Sequence, residues 1–189
     1  MTAAPDDPLR DYRTLLARLD AHAARVEEAW ADRIACEVGC SGCCHRDLSV
    51  FPVEAAAIAH FIAERRLTLE ATERPPMSPT ALDVLELDGA EPCAMLDGAG
   101  RCRIYEARPV ICRTHGLPLA IADDDGVYGD VCPLSFEGGA GLAEVPGDDF
   151  LALSTVNTVL VALNGAFVAA TGAAEERVAL RDLAGRSPD

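Results

Sequence analysis

Apolar side chains between Pro8 and Ala35 recur at steps of three and four residues, which is the spacing of one face of an α-helix. Pro8 suits the first turn of such a helix, because a backbone N–H there would have no helical acceptor. The pattern therefore predicts an amphipathic helix within the first 35 residues. Its apolar positions are Tyr12, Leu15, Leu16, Leu19, Val26, Trp30 and Ile34.

A second helical pattern runs from Pro52 to about Leu69, with Glu54 in its first turn. The segment ERPPMSP, residues 73–79, then contains three prolines, which cannot continue a helix. Another short helix is predicted from Ser78 to Leu87. The middle of the chain is thus expected to be helical around a proline-rich break.

Turn-forming residues separate two short apolar runs in the segment PCAMLDGAGRCRIY, residues 92–105. The sequence Asp-Gly-Ala-Gly at positions 97–100 favours positive φ angles and therefore a tight β-hairpin. Such a hairpin would bring Cys93 and Cys102 close together.

The stretch from Phe150 to Ala174 contains no charged residue and is long enough to span a membrane as a helix. Asparagine, serine, threonine and glycine interrupt it, and acidic rather than basic residues flank it. Because these features weigh against insertion, we expect a fully buried helix. A contact between identical subunits is one place where such a helix could be buried.

The composition favours a mainly α fold. Half of the 189 residues are hydrophobic but only 5% are aromatic, which is typical of helices packed through small side chains. We expect an N-terminal amphipathic helix (residues 1–35), a cysteine-rich domain with irregular loops and one short β-hairpin (36–133), and a C-terminal helical segment packed on the same domain (134–189).

The formal charge of −15 argues against nucleic acid and anionic membranes as partners, because phosphate binding needs clustered Lys and Arg. The first residues, MTAAPDDPLRDYRTLL, lack the basic and apolar segments of a secretory signal. We therefore expect a cytoplasmic location. In that reducing compartment close-set cysteines serve more often as metal ligands or redox groups than as disulfides.

Four of the eight cysteines fall in nine residues of the segment CEVGCSGCCHRD, residues 36–47. Thiolates separated by two or three residues can turn onto one ion, as in tetrahedral zinc sites and iron–sulfur clusters. All eight are candidate metal ligands, namely Cys36, Cys40, Cys43, Cys44, Cys93, Cys102, Cys112 and Cys132.

The adjacent pair Cys43 and Cys44 constrains how the ligands are shared. Consecutive side chains point to opposite faces of a strand, or about 100° apart around a helix. The pair therefore needs a special backbone turn to bind one ion. Either the two cysteines serve two metals, or one is a ligand and the other supports it.

Basic residues crowd the segment RCRIYEARPVICRTHG, residues 101–116, as Arg101, Arg103, Arg108 and Arg113. Guanidinium groups can offset the negative charge of metal-bound thiolates through hydrogen bonds. Arg108 and Arg113 are therefore candidate cofactor-binding residues that would contact the cysteine ligands rather than the metal itself. The alternative is a basic helix face that pairs with surface carboxylates. His45 and His115 are candidate nitrogen ligands, with a solvent-facing or hydrogen-bonding role as the alternative.

The segments CEVGCSGCC and PCAMLDGAGRCRIYEARPVICR resemble the YkgJ-type cysteine-cluster family, whose members are named zinc- or iron-chelating CxxCxxCC domains. The resemblance spans residues 36 to about 133 and implies metal binding without a settled reaction. The family name has two residues between its first cysteines, whereas three separate Cys36 from Cys40. A related branch, the flagellin lysine N-methylases, is similar in cysteine pattern and associated with an iron–sulfur cluster. This chain shows no convincing S-adenosylmethionine loop.

We therefore expect a metal-binding protein that holds zinc or iron through thiolates, with an iron–sulfur cluster as one form of the iron. The alternative is an iron–sulfur-dependent oxidoreductase or group-transfer enzyme, and a third hypothesis is a metal-sensing or metal-storing module. An open coordination position beside a pocket would favour an enzyme, whereas a closed thiolate site would favour a structural or storage role.

Overall fold

The computed structural model describes residues 7–36, 40–44, 48–69 and 92–184. The fold is mainly α, as predicted, and carries a few short strands. Its helices are α1 (Arg10–Ala29), α2 (Pro52–Arg65), α3 (Val110–Thr114), α4 (Leu153–Thr171) and α5 (Leu180–Ala184). Its strands are β1 (Ser49–Val50), β2 (Leu119–Asp123), β3 (Gly126–Asp130), β4 (Leu151–Ala152) and β5 (Val178–Ala179). The helix predicted from Ser78 to Leu87 lies outside the described residues.

The strands form two small sheets. β1 and β5 pair antiparallel, with Ser49 opposite Ala179, and so hold the C-terminal part of the chain beside the start of α2. β2 pairs antiparallel with β3 and parallel with β4. The β2–β3 hairpin is an addition to the one hairpin expected from the sequence. Every residue of β3 is exposed, so the strand has no buried face that would produce an apolar–polar alternation.

Helix α1 is amphipathic as predicted, and it buries Tyr12, Leu19, Ala23 and Val26. It ends at Ala29, although the apolar pattern continues to residue 34. The reason is tertiary, because the indole N–H of Trp30 donates to the Asp149 carboxylate at 2.9 Å. The Trp30 ring also packs on Phe136, with 5.7 Å between ring centroids. These contacts hold Trp30 at the point where the helix ends.

Helix α2 lies between two apolar clusters. Val53 packs in the cluster formed with α1, α3 and α4, whereas Ile58 and Ile62 pack in a second cluster with Met95, Ile104 and α5. The helix starts as predicted, with Pro52 in its first turn and the Glu54 carboxylate accepting the Phe51 N–H at 2.9 Å. A helix packed on both sides provides a rigid base for the segments around it.

The Glu54 carboxylate also joins α2 to α3. The residue is 2% exposed, and its second oxygen accepts the backbone N–H of Val110 at 3.0 Å. A backbone N–H at the start of a helix has no acceptor within the helix. The Glu54 carboxylate therefore accepts one such N–H at the start of α2 and another at the start of α3. The position of α3, which carries Cys112, therefore depends on α2.

The expectation that the uncharged 150–174 segment forms a fully buried helix is wrong for the single chain. α4 buries Val156, Leu160, Asn164 and Phe167, whereas Val159 and Val161 are 40% and 55% exposed. By length and composition alone, α4 could also cross a membrane. Absence of charge did not imply burial here, because the open face consists largely of small residues that water tolerates.

Asn164 supports the start of α2 from α4, which leads to a testable prediction. Its side-chain oxygen accepts the buried Val53 N–H at 3.2 Å. Asn164→Leu keeps a similar volume but removes the acceptor, so we expect a loss of about 1–3 kcal/mol in the free energy of unfolding. Asn157→Leu on the exposed face of α4 is the matched control. Equal urea midpoints for the two variants would contradict the role of this hydrogen bond.

Candidate metal centre

The two cysteine-bearing parts of the sequence meet in the fold. The backbone N–H of Cys93 donates to the carbonyl of Cys44 at 2.6 Å, which joins the 40–44 loop to the hairpin segment. The predicted turn at 97–100 is confirmed, with an antiparallel bridge between Leu96 and Cys102. The turn brings Cys93 and Cys102 to one wall, as expected.

A cavity of about 390 Å³ lies between the two parts, and every cysteine except Cys132 lines it. Cys43 and Cys44 belong to a 3₁₀ turn, Gly42–Cys44, which is a tighter backbone than an α-helix. Both of their side chains reach the cavity. A 3₁₀ turn sets consecutive side chains about 120° apart, so whether the adjacent pair shares one ion stays open.

Cys132 lies on the other side of the cysteine loop. There a small cavity of about 10 Å³ is lined by Cys132, His115 and three loop cysteines, namely Cys36, Cys40 and Cys43. These three cysteines line both cavities. His115 thus stands beside the cysteine set, whereas His45 lies outside the described residues.

The eight cysteines are free thiols, and the surroundings of six of them raise the thiol pKa and so favour the neutral form. Burial raises the pKa of Cys36 and that of Cys102 to about 11 each. Burial, followed by the charge of neighbouring cysteines, raises the pKa of Cys112 well above its usual value. A hydrogen bond with Cys43, followed by burial, does the same for Cys44. Several thiolates can therefore coexist here only if a cation compensates their charge, and metal binding must release protons.

The donor set fits a thiolate-bound metal by its chemistry. Thiolates are the ligands of structural zinc and of iron–sulfur clusters, and here they surround one cavity. Within the described ranges, no three His, Cys, Asp or Glu side chains already form a metal-ligand group. Binding therefore requires the sulfur atoms to move together, which couples metal uptake to local ordering.

Arg113 of α3 is buried, with 8% of its surface exposed, and its hydrogen bonds hold α3 against the neighbouring segments. Its Nε donates to the Arg108 carbonyl at 2.8 Å, and its terminal nitrogens donate to the Glu106 carbonyl and the Asp20 carboxylate. Asp20 lies on α1, so this guanidinium ties α1 to the segment that precedes Cys112.

Arg108 lies closer to the thiols. It lines the large cavity, and its positive charge acts to lower the pKa values of Cys36, Cys102 and Cys112, against the larger effect of burial. The charge of Arg108 can therefore offset part of the negative charge that metal-bound thiolates would carry.

Two residues that support the site were not identified as functional from the sequence. Glu54 was visible only as a helix-start residue, and its bond to Val110 spans 56 positions. Gly116 has a φ of +100°, and a Cβ added there would lie 2.9 Å from the Cys36 Cβ. The glycine that ends the segment RTHG could have indicated an unusual backbone conformation. Its contact with Cys36 could not be predicted, because the two residues are far apart in the sequence.

Gly116→Ala is expected to weaken metal binding several-fold, because the added methyl group displaces Cys36. Gly126→Ala is the matched control, since Gly126 has a φ of +138° and nothing within 4 Å of an added Cβ. Both variants should lose about 1–2 kcal/mol of stability through backbone strain. Zinc titration of the reduced proteins should show weaker binding only for Gly116→Ala. Equal zinc affinities would contradict the steric argument.

Comparison with curated proteins and comparison with solved structures each give no significant match. One family model, described as "CxxCxxCC: Putative zinc- or iron-chelating domain", matches residues 35–133, just over half of the chain. The matched region contains all eight cysteines and the segments that surround the large cavity, apart from α5. The chain therefore belongs to the CxxCxxCC family of zinc- or iron-chelating domains.

Proposed function

We propose that this chain is a cytoplasmic metal-binding protein of the YkgJ type that holds zinc or iron through cysteine thiolates. An iron–sulfur cluster is one form that the iron could take. The observation that carries the proposal is the convergence of cysteines from two separate parts of the sequence on one cavity. The free thiols agree with a reducing compartment, where disulfides are uncommon.

The protein residues around the cavity have distinct roles in this proposal. The cysteines supply the negative donors, and Arg108 offsets part of their charge. The apolar wall, which includes Met95, Ile104 and Leu180, limits the access of water. A bound metal would join the 40–44 loop to α3, and a redox-active iron would in addition supply electron transfer.

Anaerobic purification followed by elemental analysis and visible absorption tests the proposal. Zinc in a colourless protein, or iron with acid-labile sulfide and broad visible absorption, would support it and identify the metal. Alkylation with mass spectrometry should find the cysteines protected in the loaded protein and reactive after denaturation and chelation. Reactive thiols and no metal in the freshly purified protein would refute it.

We further propose that the partners include neither nucleic acid nor a membrane, and that the open face of α4 contacts a second copy of the chain. The net charge of −15 and the acidic residues that flank α4 support the first part, and the exposed Val159 and Val161 on α4 support the second. Cell fractionation should leave the protein soluble after a high-salt wash. Sedimentation should show a dimer that Val161→Asp dissociates. A membrane-bound or strictly monomeric protein would contradict these proposals.

The size of the large cavity favours the enzyme alternative as a second candidate. A closed structural zinc site has little space beside its ligands, whereas this cavity of about 390 Å³ lies within the range of small-molecule sites. An iron–sulfur-dependent oxidoreductase or group-transfer enzyme would use that space for a substrate. Detection of iron and sulfide in the purified protein would favour this alternative, and zinc alone would exclude its iron–sulfur form.

A further inference from the structure

The wall of the large cavity contains a guanidinium group with unused hydrogen-bonding capacity. Arg108 lies over the ring of Tyr105, with 4.0 Å from its Cζ to the ring centroid, and both residues line the cavity. Its Nε is buried, and no atom of the described part of the chain accepts a hydrogen bond from it. Stacking uses the face of a guanidinium and leaves its N–H edges available. Because Nε is closed to solvent, a ligand in the cavity would meet the terminal N–H groups of this guanidinium.

Two arginines near Arg108 direct their guanidinium groups to acceptors within the chain. Arg113 directs its guanidinium to two backbone carbonyls and to Asp20. Arg101, at the rim of the cavity, pairs with Asp97 through its Nε at 3.0 Å. Arg108 therefore contributes to the cavity lining a guanidinium group that stacks on Tyr105 and has no carboxylate partner in the described part of the chain.

We propose that the cavity binds an organic monocarboxylate, with its carboxylate group on Arg108 and its apolar body against Met95, Ile104 and Leu180. The ligand would lie beside the cysteines, so its position next to a metal rests on the proposed function, whereas its binding to Arg108 does not. Guanidinium and carboxylate groups match in geometry and can form two parallel hydrogen bonds.

The charge and shape of the cavity select this ligand class. Of the two guanidinium groups in the lining, that of Arg101 is paired with Asp97, so Arg108 is left to balance one negative charge, which a monocarboxylate carries and a phosphate monoester exceeds. Much of the remaining wall is apolar and can remove an alkyl or aryl group from water. At about 390 Å³ the cavity has space for such a group beyond what thiolate-bound metal requires.

Calorimetric titration of the zinc-loaded full chain with hexanoate tests the proposal. We expect saturable binding that weakens roughly 10- to 100-fold in Arg108→Gln, because a charge-assisted hydrogen bond is lost. Arg65→Gln is the matched control. Arg65 also stacks on an aromatic ring, with 5.3 Å from its Cζ to the Phe61 centroid, but lies outside the cavity. In the wild-type chain, acetate should bind more weakly than hexanoate, by roughly fourfold for each missing methylene, and hexanol should bind more weakly than hexanoate.

The comparison of hexanoate with hexanol needs only the wild-type chain, so it holds even if Arg108→Gln does not fold. Equal binding of these two probes, unchanged hexanoate binding in Arg108→Gln, or no saturable binding to the wild type would overturn the proposal. Zinc content is measured on the same samples. Full zinc without hexanoate binding refutes the ligand alone, and Arg108-dependent hexanoate binding in a chain that takes up neither zinc nor iron refutes the metal function alone.

Discussion

Replacement of Cys43 by serine is expected to remove most of the bound metal, with a larger effect than any other single cysteine substitution. Cys43 lines both cavities, and its charge influences the pKa values of cysteines on either side, including Cys132 and Cys112. Serine keeps the approximate size but removes the thiolate that zinc and iron–sulfur centres use. Elemental analysis of anaerobically purified protein measures the effect. Full metal content in Cys43→Ser would show that this position is not a ligand.

Replacement of Cys112 by serine shows whether the two cysteine-bearing parts form one centre. If they do, the variant should lose metal and also leave Cys36 and Cys40 open to alkylation. Ile111→Ser on the same helix is the matched control, because Ile111 is 49% exposed. It should keep both the metal and the protection. If Cys112→Ser retains protected loop cysteines and their metal, each part has its own site and the shared centre is wrong.

Replacement of Glu54 by alanine should cause the largest loss of stability among the substitutions outside the cysteine set. It leaves the N–H groups of Phe51 and Val110 without their acceptor. Each unsatisfied buried donor costs about 1–3 kcal/mol, whereas removal of the buried carboxylate recovers part of its desolvation cost. We therefore expect the free energy of unfolding to fall by about 3 kcal/mol. Urea unfolding of the reduced, metal-free protein measures it. Glu64→Ala, on the exposed part of α2, is the control and should change stability by less than about 0.5 kcal/mol.

Glu54 also predicts a pH dependence of stability. Burial raises the pKa of its carboxyl above the usual value of 4.5, against the opposing effect of the Phe51 and Val110 N–H groups. The folded chain then binds this proton more tightly than the unfolded chain. The contribution to stability therefore falls as pH rises from about 4.5 through the raised pKa. Glu54→Gln should flatten the curve in that interval. An equal slope in both proteins would contradict a raised pKa.

Local signals in the sequence predicted those parts of the fold that neighbouring residues control. Pro52 with Glu54 started α2 where the pattern placed it, and the Asp-Gly-Ala-Gly turn formed between Cys93 and Cys102. The donor chemistry was also readable, because cysteines separated by two or three residues are typical of thiolate metal sites whatever their final positions. In each case the deciding interactions lie within a few residues.

The remaining features depend on contacts between distant positions, which a single sequence does not encode in a local pattern. Trp30 at the end of α1 bonds to Asp149, and α3 is held both by the Glu54 bond to Val110 and by the contacts of Arg113. The different roles of Arg108 and Arg113 follow in the same way from which acceptors the fold brings near each guanidinium.

By itself, the sequence of this protein determined the helical class, the position of the main turn and the thiol chemistry of the site. Helix capping, turn formation and donor type depend on the residue itself and its immediate neighbours. Only the tertiary structure decided which cysteines share a cavity, which face of α4 is buried and which arginine lies beside the thiols. Those outcomes depend on how apolar faces pack and on where the buried polar groups of distant segments find their partners.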